Sequence, residues 1–313
     1  MDPDELAVMA AQQYYDEGRT MAAIAHDLQV SRSSVSRLLA GARENGLVEI
    51  RVLPPRFRID SLERAIAARH NVRARVVAVP DGTPGDQRYA RTANAAAALV
   101  VETMNADAVL ALSWGTMVNE ISRHLTSKPC TNSWIVQANG IGQSSSGIHH
   151  SVGILERFSS AFGASIQQVP FPIFLDSPES KQLIERERLM RNARSMLASA
   201  DLFLFNVGTV NKGHPNQPWL NGHFLDEDEF GALREDGAIG DVATTFVDAE
   251  GRTDRIRMND RTTGPDPTAV LGIPRRICVT CGNHKVPALT AALRGGFVTD
   301  LVIDEVTATT LLG

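Results

Sequence analysis

At 313 residues, with 43% hydrophobic and 21% charged side chains, the chain is long enough for two domains and has the make-up of a soluble globular protein. A net charge of −5 excludes a chain that holds nucleic acid by overall basicity, and three cysteines exclude a disulfide framework. No apolar run is long enough to span a bilayer, and the acidic N-terminus lacks a signal peptide's basic and apolar regions, so no membrane partner is expected and the expected location is cytoplasmic.

The charge is uneven along the chain. Before Gly18 stand Asp2, Asp4, Glu5, Asp16 and Glu17 with no lysine or arginine. From Arg19 to Arg58 the basic residues Arg19, Arg32, Arg37, Arg43, Arg51, Arg56 and Arg58 face only Asp27, Glu44 and Glu49. A local basic surface in an acidic protein suits a specific nucleic-acid reader confined to one small module.

Asp2-Pro3-Asp4-Glu5 opens a helix, with Asp2 as cap and Pro3 at the first helical position. It is predicted to run to about Glu17, with Leu6, Met9, Ala10 and Tyr14 inward, and to stop at Gly18. Met21 to Asn45 reads as two short helices joined by a tight turn. Ile24, Ala25 and Leu28 share one face of the first. Val35, Leu38, Leu39 and Ala42 recur at the spacing of a buried stripe in the second, and Ser31 stands where an N-cap belongs. The opposite face of the second helix carries Arg32, Ser33, Ser36, Arg37 and Arg43. Arginine reaches guanine edges or phosphates and serine reaches either, so this face suits a DNA major groove. Arg19, Thr20 and Ser34 complete the candidate DNA contacts. The plainer alternative is a helical hairpin with a solvated face.

Asn45-Gly46 ends the second helix. Val48, Ile50 and Val52 then alternate with Glu49 and Arg51 as a short strand or wing, and Pro54-Pro55 breaks regular structure. The expected division is a helix-turn-helix domain over 1–52, a linker over 53–60 and a second domain over 61–313.

From Ser61 the pattern becomes α/β. Apolar strands are predicted at Ala74–Val79, Ala108–Leu112, Trp134–Gln137, Leu202–Val207, Ala243–Val247, Ile277–Thr280 and Leu301–Ile303. Helices are predicted at Leu62–His70, Tyr89–Met104, Thr116–Leu125, Val152–Phe162, Glu179–Ala198, Glu227–Glu235, Val286–Leu293 and Glu305–Leu312. Ser144 to Gly147 reads as a loop, and His149-His150 as a loop pair. Continuous apolar strands alternating with helices mean a mainly parallel, Rossmann-like sheet covered on both faces, with ligands beyond the carboxyl ends of its strands.

Four loops could carry chemistry. Ser113-Trp114-Gly115-Thr116 joins a strand to a helix whose N-terminus favours an anion; the alternative is an ordinary turn capped by Thr116. Cys281-Gly282-Asn283-His284-Lys285 repeats that design with a cation. Lys285 beside the positive end of a helix dipole is unfavourable unless something negative is bound, which points to phosphate. Gln137-Ala138-Asn139-Gly140-Ile141-Gly142 offers amides to sugar hydroxyls; as a dinucleotide fingerprint it fails, because Ser145 stands where the third glycine belongs. Asp241, after Gly240, could accept from sugar hydroxyls or serve a turn. Cys278 and Cys281 have redox spacing, but the pair points to opposite faces of a strand. Neither a metal site, a Walker loop nor a nucleophile elbow is found.

The N-terminal helix-turn-helix, the proline linker and an α/β domain with S-W-G-T and C-G-N-H-K loops resemble the SorC family of bacterial sugar-responsive transcriptional regulators. The end of the chain, Lys285-Val286-Pro287 through Leu293-Arg294-Gly295-Gly296-Phe297 to Asp304-Glu305 and Ala308–Leu312, is similar to that family's C-terminus. The resemblance implies an effector domain of the sugar-phosphate isomerase type that binds a phosphorylated sugar without turnover. Gly115, Thr116 and Lys285 would hold phosphate; Asn139, Gly140 and Asp241 would hold the sugar. Some members capture an aldehyde sugar phosphate through a lysine in the third loop. No lysine lies between Gln137 and Gln143, so reversible binding is expected. The resemblance also implies dimers or tetramers on a palindromic operator, with no cofactor. The competing reading is a sugar-phosphate isomerase or deaminase with an appended N-terminal module, but the loops lack a carboxylate or histidine constellation for its base. A weaker third reading is a non-sugar effector such as a phosphorylated signalling molecule.

Overall fold

The computed structural model describes residues 3–48, 56–80, 82–142, 145–210 and 225–313. The chain divides into two compact units, Met1–Pro54 and Pro55–Gly313.

The first unit packs three helices around small apolar side chains. Helix α1 (Pro3–Ala11) continues into a π-helical turn, Gln12–Asp16, and Gly18 ends it at φ 66°. The predicted single helix to Glu17 therefore widens in its last turn, where Tyr14 and Tyr15 meet edge to face at 5.0 Å. Helices α2 (Met21–Asp27) and α3 (Arg32–Glu44) follow. The Thr20 hydroxyl accepts from the Ala23 amide at 3.3 Å, and the Ser31 hydroxyl accepts from the Ser34 amide at 3.1 Å. Ile24, Ala25, Val35, Leu39 and Ala42 are buried together with Ala7, Ala10 and Ala11. At the end of α3 the Leu47 amide reaches the Ala42 carbonyl and the Gly46 amide the Arg43 carbonyl, with Gly46 at φ 72°. That is a Schellman motif, and it needs glycine's freedom at this one position. The cap expected from Asp2 and the wing expected through Ile50 and Val52 lie outside the described residues.

The second unit begins with helix α4 (Arg56–His70). The linker expected over 53–60 is thus helix from Arg56 onward, and 53–55 lie outside the described residues. Prolines stop a helix that precedes them but favour one that follows. Strand β1 (Arg73–Val77), α5 (Gly85–Thr103), β2 (Val109–Leu112), α6 (Thr116–Arg123), β3 (Trp134–Gln137), α7 (Ser145–Phe162) and β4 (Ser165–Gln167) come next. Then come α8 (Pro178–Glu185), α9 (Arg188–Ala198), β5 (Leu202–Phe205), β6 (Val207–Thr209), α10 (Glu227–Glu235), β7 (Gly240–Val242) and β8 (Thr245–Val247). The chain closes with α11 (Pro267–Gly272), β9 (Arg275–Thr280), α12 (Val286–Arg294), β10 (Asp300–Asp304) and α13 (Glu305–Leu312).

Seven strands form a parallel sheet in the order β1-β10-β9-β5-β2-β3-β4, and β6-β7-β8 form a small antiparallel sheet. Alternate strand residues feed two cores. Leu110, Leu112, Ile135, Leu204, Ile277 and Val302 face α5, α6 and α7. Ala111, Val136, Phe203, Phe205, Cys278 and Leu301 face α4, α9, α12 and α13. From β2 the chain builds outward to β3 and β4, then returns to β5 on the other side. The crevice between the carboxyl ends of β2 and β5 is therefore the topological switch point.

Several local expectations are corrected. Ser145 to Gly147, with His149 and His150, belongs to α7 rather than to a loop; Ser144 lies outside the described residues. The helix read over 179–198 is two, α8 and α9. Nine residues along one straight helix would stand roughly 13 Å apart, whereas the break brings Glu185 within 2.7 Å of Arg194. The strand read over 202–207 breaks at Asn206, where the chain leaves the large sheet for the small one. Asp241 lies inside β7, and the turn is the following pair, Ala243-Thr244, at φ 49° and 67°. A two-residue hairpin turn of this hand favours asparagine and glycine, so Ala-Thr gave no signal in the sequence.

Candidate functional site

In the first unit, Arg32, Ser33, Ser36, Arg37 and Arg43 are exposed on α3, opposite the buried Val35, Leu39 and Ala42. Ser34 is half-buried; its hydroxyl lies 2.8 Å from that of Ser31 and accepts from Arg37 at 3.4 Å. Arg19 and Thr20 have work within the unit. Arg19 pairs with Asp27 at 2.5 Å and donates to Gln13 at 3.1 Å, and Thr20 caps α2. Four of these five exposed residues, Arg32, Ser33, Ser36 and Arg37, lie in the N-terminal half of α3, the part of a recognition helix that meets base edges.

In the second unit, the loops expected to carry chemistry leave β2, β3 and β9 at their carboxyl ends. Ser113, Trp114, Gly115, Asn139 and Asp241 line one cavity at the switch point, together with Ile173, Asn206, Gly208, Ala243 and Thr244. The Trp114 amide donates to Asn139 Oδ1 at 3.2 Å, and its indole N–H donates to the Gly140 carbonyl. These bonds tie the β2 loop to the β3 loop. Gly115 is the N-cap of α6 and supplies no side-chain cap. Thr116 is the first helical residue, exposed, and is not the cap that the ordinary-turn alternative required. With no side-chain cap from Gly115, the start of α6 has the form of an anion site.

Two expected residues serve the frame instead. The buried Gln137 donates to the Asn139 carbonyl at 2.7 Å and accepts from the Val169 amide at 3.3 Å. Gly140 is where backbones meet: a Cβ there would run into the carbonyls of Phe171 and Pro172 and the hydroxyl of Thr263. Both orient Asn139 rather than line the cavity.

The electrostatics centre on Asp241 and Lys285. Asp241 is buried; its Oδ2 accepts from the Thr244 amide at 2.7 Å, and its Oδ1 has no partner among the described residues. Burial pushes its pKa up to about 6, against the pull of that amide and of the Lys285 charge. Lys285 is half-buried and donates to the Val207 carbonyl at 3.0 Å, the first residue of β6. Burial lowers its pKa, and Asp241 opposes the change. The lysine therefore reaches inward, to the start of β6 and toward Asp241. Gly282 donates its amide to Thr307 at 2.8 Å, at φ 107°, and Asn283 is exposed at the start of a 3₁₀ turn, Asn283–Lys285. Cys278 and Cys281 lie on opposite faces of the sheet, and burial raises both thiols to about 12, so neither supplies a thiolate.

An inward cation, an uncapped helix start and a buried carboxylate with an unmatched oxygen can together bind a polar ligand that is anionic at one end and hydroxylated at the other. Comparison with known proteins bears on what such a protein is. Residues 55–313 match the Sugar-bind family of sugar-binding domains. The chain is 31% identical to the deoxyribonucleoside regulator of Bacillus subtilis (strain 168), over 99% of this chain and 98% of that protein. The chain belongs to the SorC family. The full-length sorbitol operon regulator SorC from Klebsiella pneumoniae has the same fold, with a TM-score of 0.82 at 24% identity over 100% of both chains. A domain of a possible sugar-binding transcriptional regulator from Arthrobacter aurescens TC1 gives a TM-score of 0.77 at 34% identity, covering 83% of this chain and 100% of that one.

This SorC-family member is a sugar-responsive transcriptional regulator, and the isomerase or deaminase alternative is set aside by those relatives. Among the described residues no helix is long and apolar enough to cross a membrane. Sequence reasoning missed Asn206, Ile173, Gly208, Ala243 and Thr244. Asn206 did leave a trace, as the one polar residue inside an apolar strand pattern at the carboxyl edge of the sheet.

Proposed function

We propose that this regulator reads a palindromic operator with the exposed face of α3, as a cytoplasmic dimer or tetramer, and that a phosphorylated sugar in the second unit sets its operator affinity. The observation that carries the reading is the cavity at the switch point, where Asp241 and Asn139 stand with Ser113, Trp114 and Gly115 of the β2 loop, while Lys285, bonded to the start of β6, acts on Asp241 from outside that lining. Phosphate belongs beside Lys285 and the free amides of α6, where cation and helix dipole act together. Sugar hydroxyls belong at Asn139 and at Oδ1 of Asp241, which a bound hydroxyl would satisfy. Paired subunits would present two α3 helices to half-sites one helical turn apart. The relative named a deoxyribonucleoside regulator makes 2-deoxyribose and its phosphates the first compounds to test.

Isothermal titration of the full chain with a panel of sugars and sugar phosphates tests the ligand class. Wild type binds one phosphorylated sugar and not its parent, and Lys285→Ala loses at least ten-fold in affinity. Unchanged affinity in Lys285→Ala contradicts the phosphate placement. Binding of the parent sugar alone, or only of a phosphorylated compound without a sugar, contradicts the ligand class.

A further inference from the structure

Thr116 differs from most threonines in the helices of this protein. The hydroxyls of Thr92, Thr103, Thr309 and Thr310 donate to the carbonyls four residues earlier, at 2.8, 2.6, 2.9 and 3.1 Å. Thr116 opens α6, so no helical carbonyl lies behind it. Instead its oxygen accepts a bond from the hydroxyl of Tyr89, on α5, at 3.1 Å. A hydroxyl has one proton and two lone pairs. With Tyr89 donating into one lone pair, the Thr116 proton cannot point at Tyr89 and is turned to whatever lies beyond the helix start. Tyr89 packs against the same core as Cys281, the first residue of the Lys285 loop, and lies near enough for that thiol to act on it.

We propose that Tyr89 is a positioning residue that fixes Thr116 as a hydrogen-bond donor toward the phosphate of the effector, and so sets the preference for phosphorylated over unphosphorylated ligands. The proposal rests on the phosphate placement given above. A phosphate oxygen is an acceptor only, whereas a sugar hydroxyl both gives and takes. Thr116 keeps one lone pair, but a threonine whose proton is directed away from Tyr89 in advance meets an oxygen that can only accept without having to reorient. Burial holds the phenol of Tyr89 up to about 12, so it keeps its proton and stays the donor throughout the working pH range. Phenylalanine in its place would free Thr116 to rotate, and the donor would no longer be set in advance.

The test is titration of the full chain with inorganic phosphate at fixed ionic strength, for wild type, Tyr89→Phe, Thr116→Ala, Thr116→Ser and the double variant Tyr89→Phe/Thr116→Ala. Thermal unfolding in phosphate-free buffer checks that each folds. Tyr89→Phe should weaken phosphate binding roughly five- to ten-fold, the scale of one compromised hydrogen bond to a charged group. Thr116→Ala should lose at least as much, the double variant no more than Thr116→Ala, and Thr116→Ser should keep wild-type affinity. A merely structural role for Tyr89 would instead give losses that multiply in the double variant. If Thr116→Ala weakens phosphate and Tyr89→Phe does not, or if the losses multiply, the positioning role is wrong while the phosphate placement stands. If wild type does not bind phosphate, or Thr116→Ala binds it as wild type does, the phosphate placement itself falls, and this role with it.

Discussion

A buried carboxylate with one unmatched oxygen destabilises the protein that carries it. Asp241 holds its proton more tightly in the folded state than in the unfolded chain, where a carboxylate titrates near 3.8; folded, it titrates near 6. Its contribution is therefore most favourable below the unfolded value and is lost as pH rises through about 6. Asp241→Asn should raise the stability of the ligand-free protein by about 1–3 kcal/mol at pH 7.5. The gain should shrink toward pH 5, as thermal unfolding across that range would reveal. The same variant should lose effector binding, the usual relation between a functional site and stability. Lys285 stood out in the sequence because a lysine at a helix start is unfavourable unless something negative is bound, whereas Asp241 was read only as a sugar or turn contact and its place inside β7 was not legible. Ala243 and Thr244 were not, because nothing in an Ala-Thr pair announces two left-handed residues. Gln137 and Gly140 were legible as part of the loop but not in their roles, since those depend on Val169, Phe171 and Thr263, which are remote in sequence.

Elements show the same division between local and remote causes. Helix α3 was readable end to end, because its cap at Ser31, its stripe and its stop at Gly46 are all local signals. Arg37→Ala should weaken operator binding by about 1–3 kcal/mol if Arg37 reads a base. Fluorescence anisotropy at fixed salt measures that, and full affinity in the variant would count against this face as the reading surface. The strands were readable as apolar runs, but the amino-terminal end of the sheet holds a tie that no pattern predicts. The buried Asp300 on β10 accepts from Arg73 of the edge strand β1 at 2.8 and 2.6 Å and from Arg275 of β9 at 2.7 Å. Burial alone would raise its pKa; hydrogen bonds from both arginines and Thr299 bring it down to about 2. That stabilisation is present above the unfolded value near 3.8 and is lost as pH falls through about 2. Asp300→Asn should cost about 2 kcal/mol at neutral pH, and the deficit in denaturant midpoint should close as pH falls toward 2. Arg73 and Arg75 also place charge on the exposed edge strand, which discourages pairing with another sheet.

At the scale of the molecule, the division into a small helical unit and a covered parallel sheet follows from a change of hydrophobic period near residue 60, from helical stripes to continuous strands. The strand order does not. That β2 sits between β3 and β5, so that the loops leaving β2 and β3 meet at the switch point beside Asn206, is decided by packing between elements far apart in sequence. The identity of a SorC-family regulator sets what the second unit must do for the first. A ligand changes operator binding only to the extent that it binds one arrangement of the protein better than another, and the coupling is reciprocal. Lys285→Ala should therefore leave operator affinity without effector intact while removing the response to it. The decisive measurement is the anisotropy of labelled DNA from upstream of the protein's own operon, at one stated salt concentration, titrated with a sugar and with its phosphate. The phosphorylated sugar should shift operator affinity in wild type but not in Lys285→Ala, and the parent sugar should shift it in neither. Specific operator binding that no sugar phosphate changes, or an equal response in Lys285→Ala, would contradict effector control through Lys285.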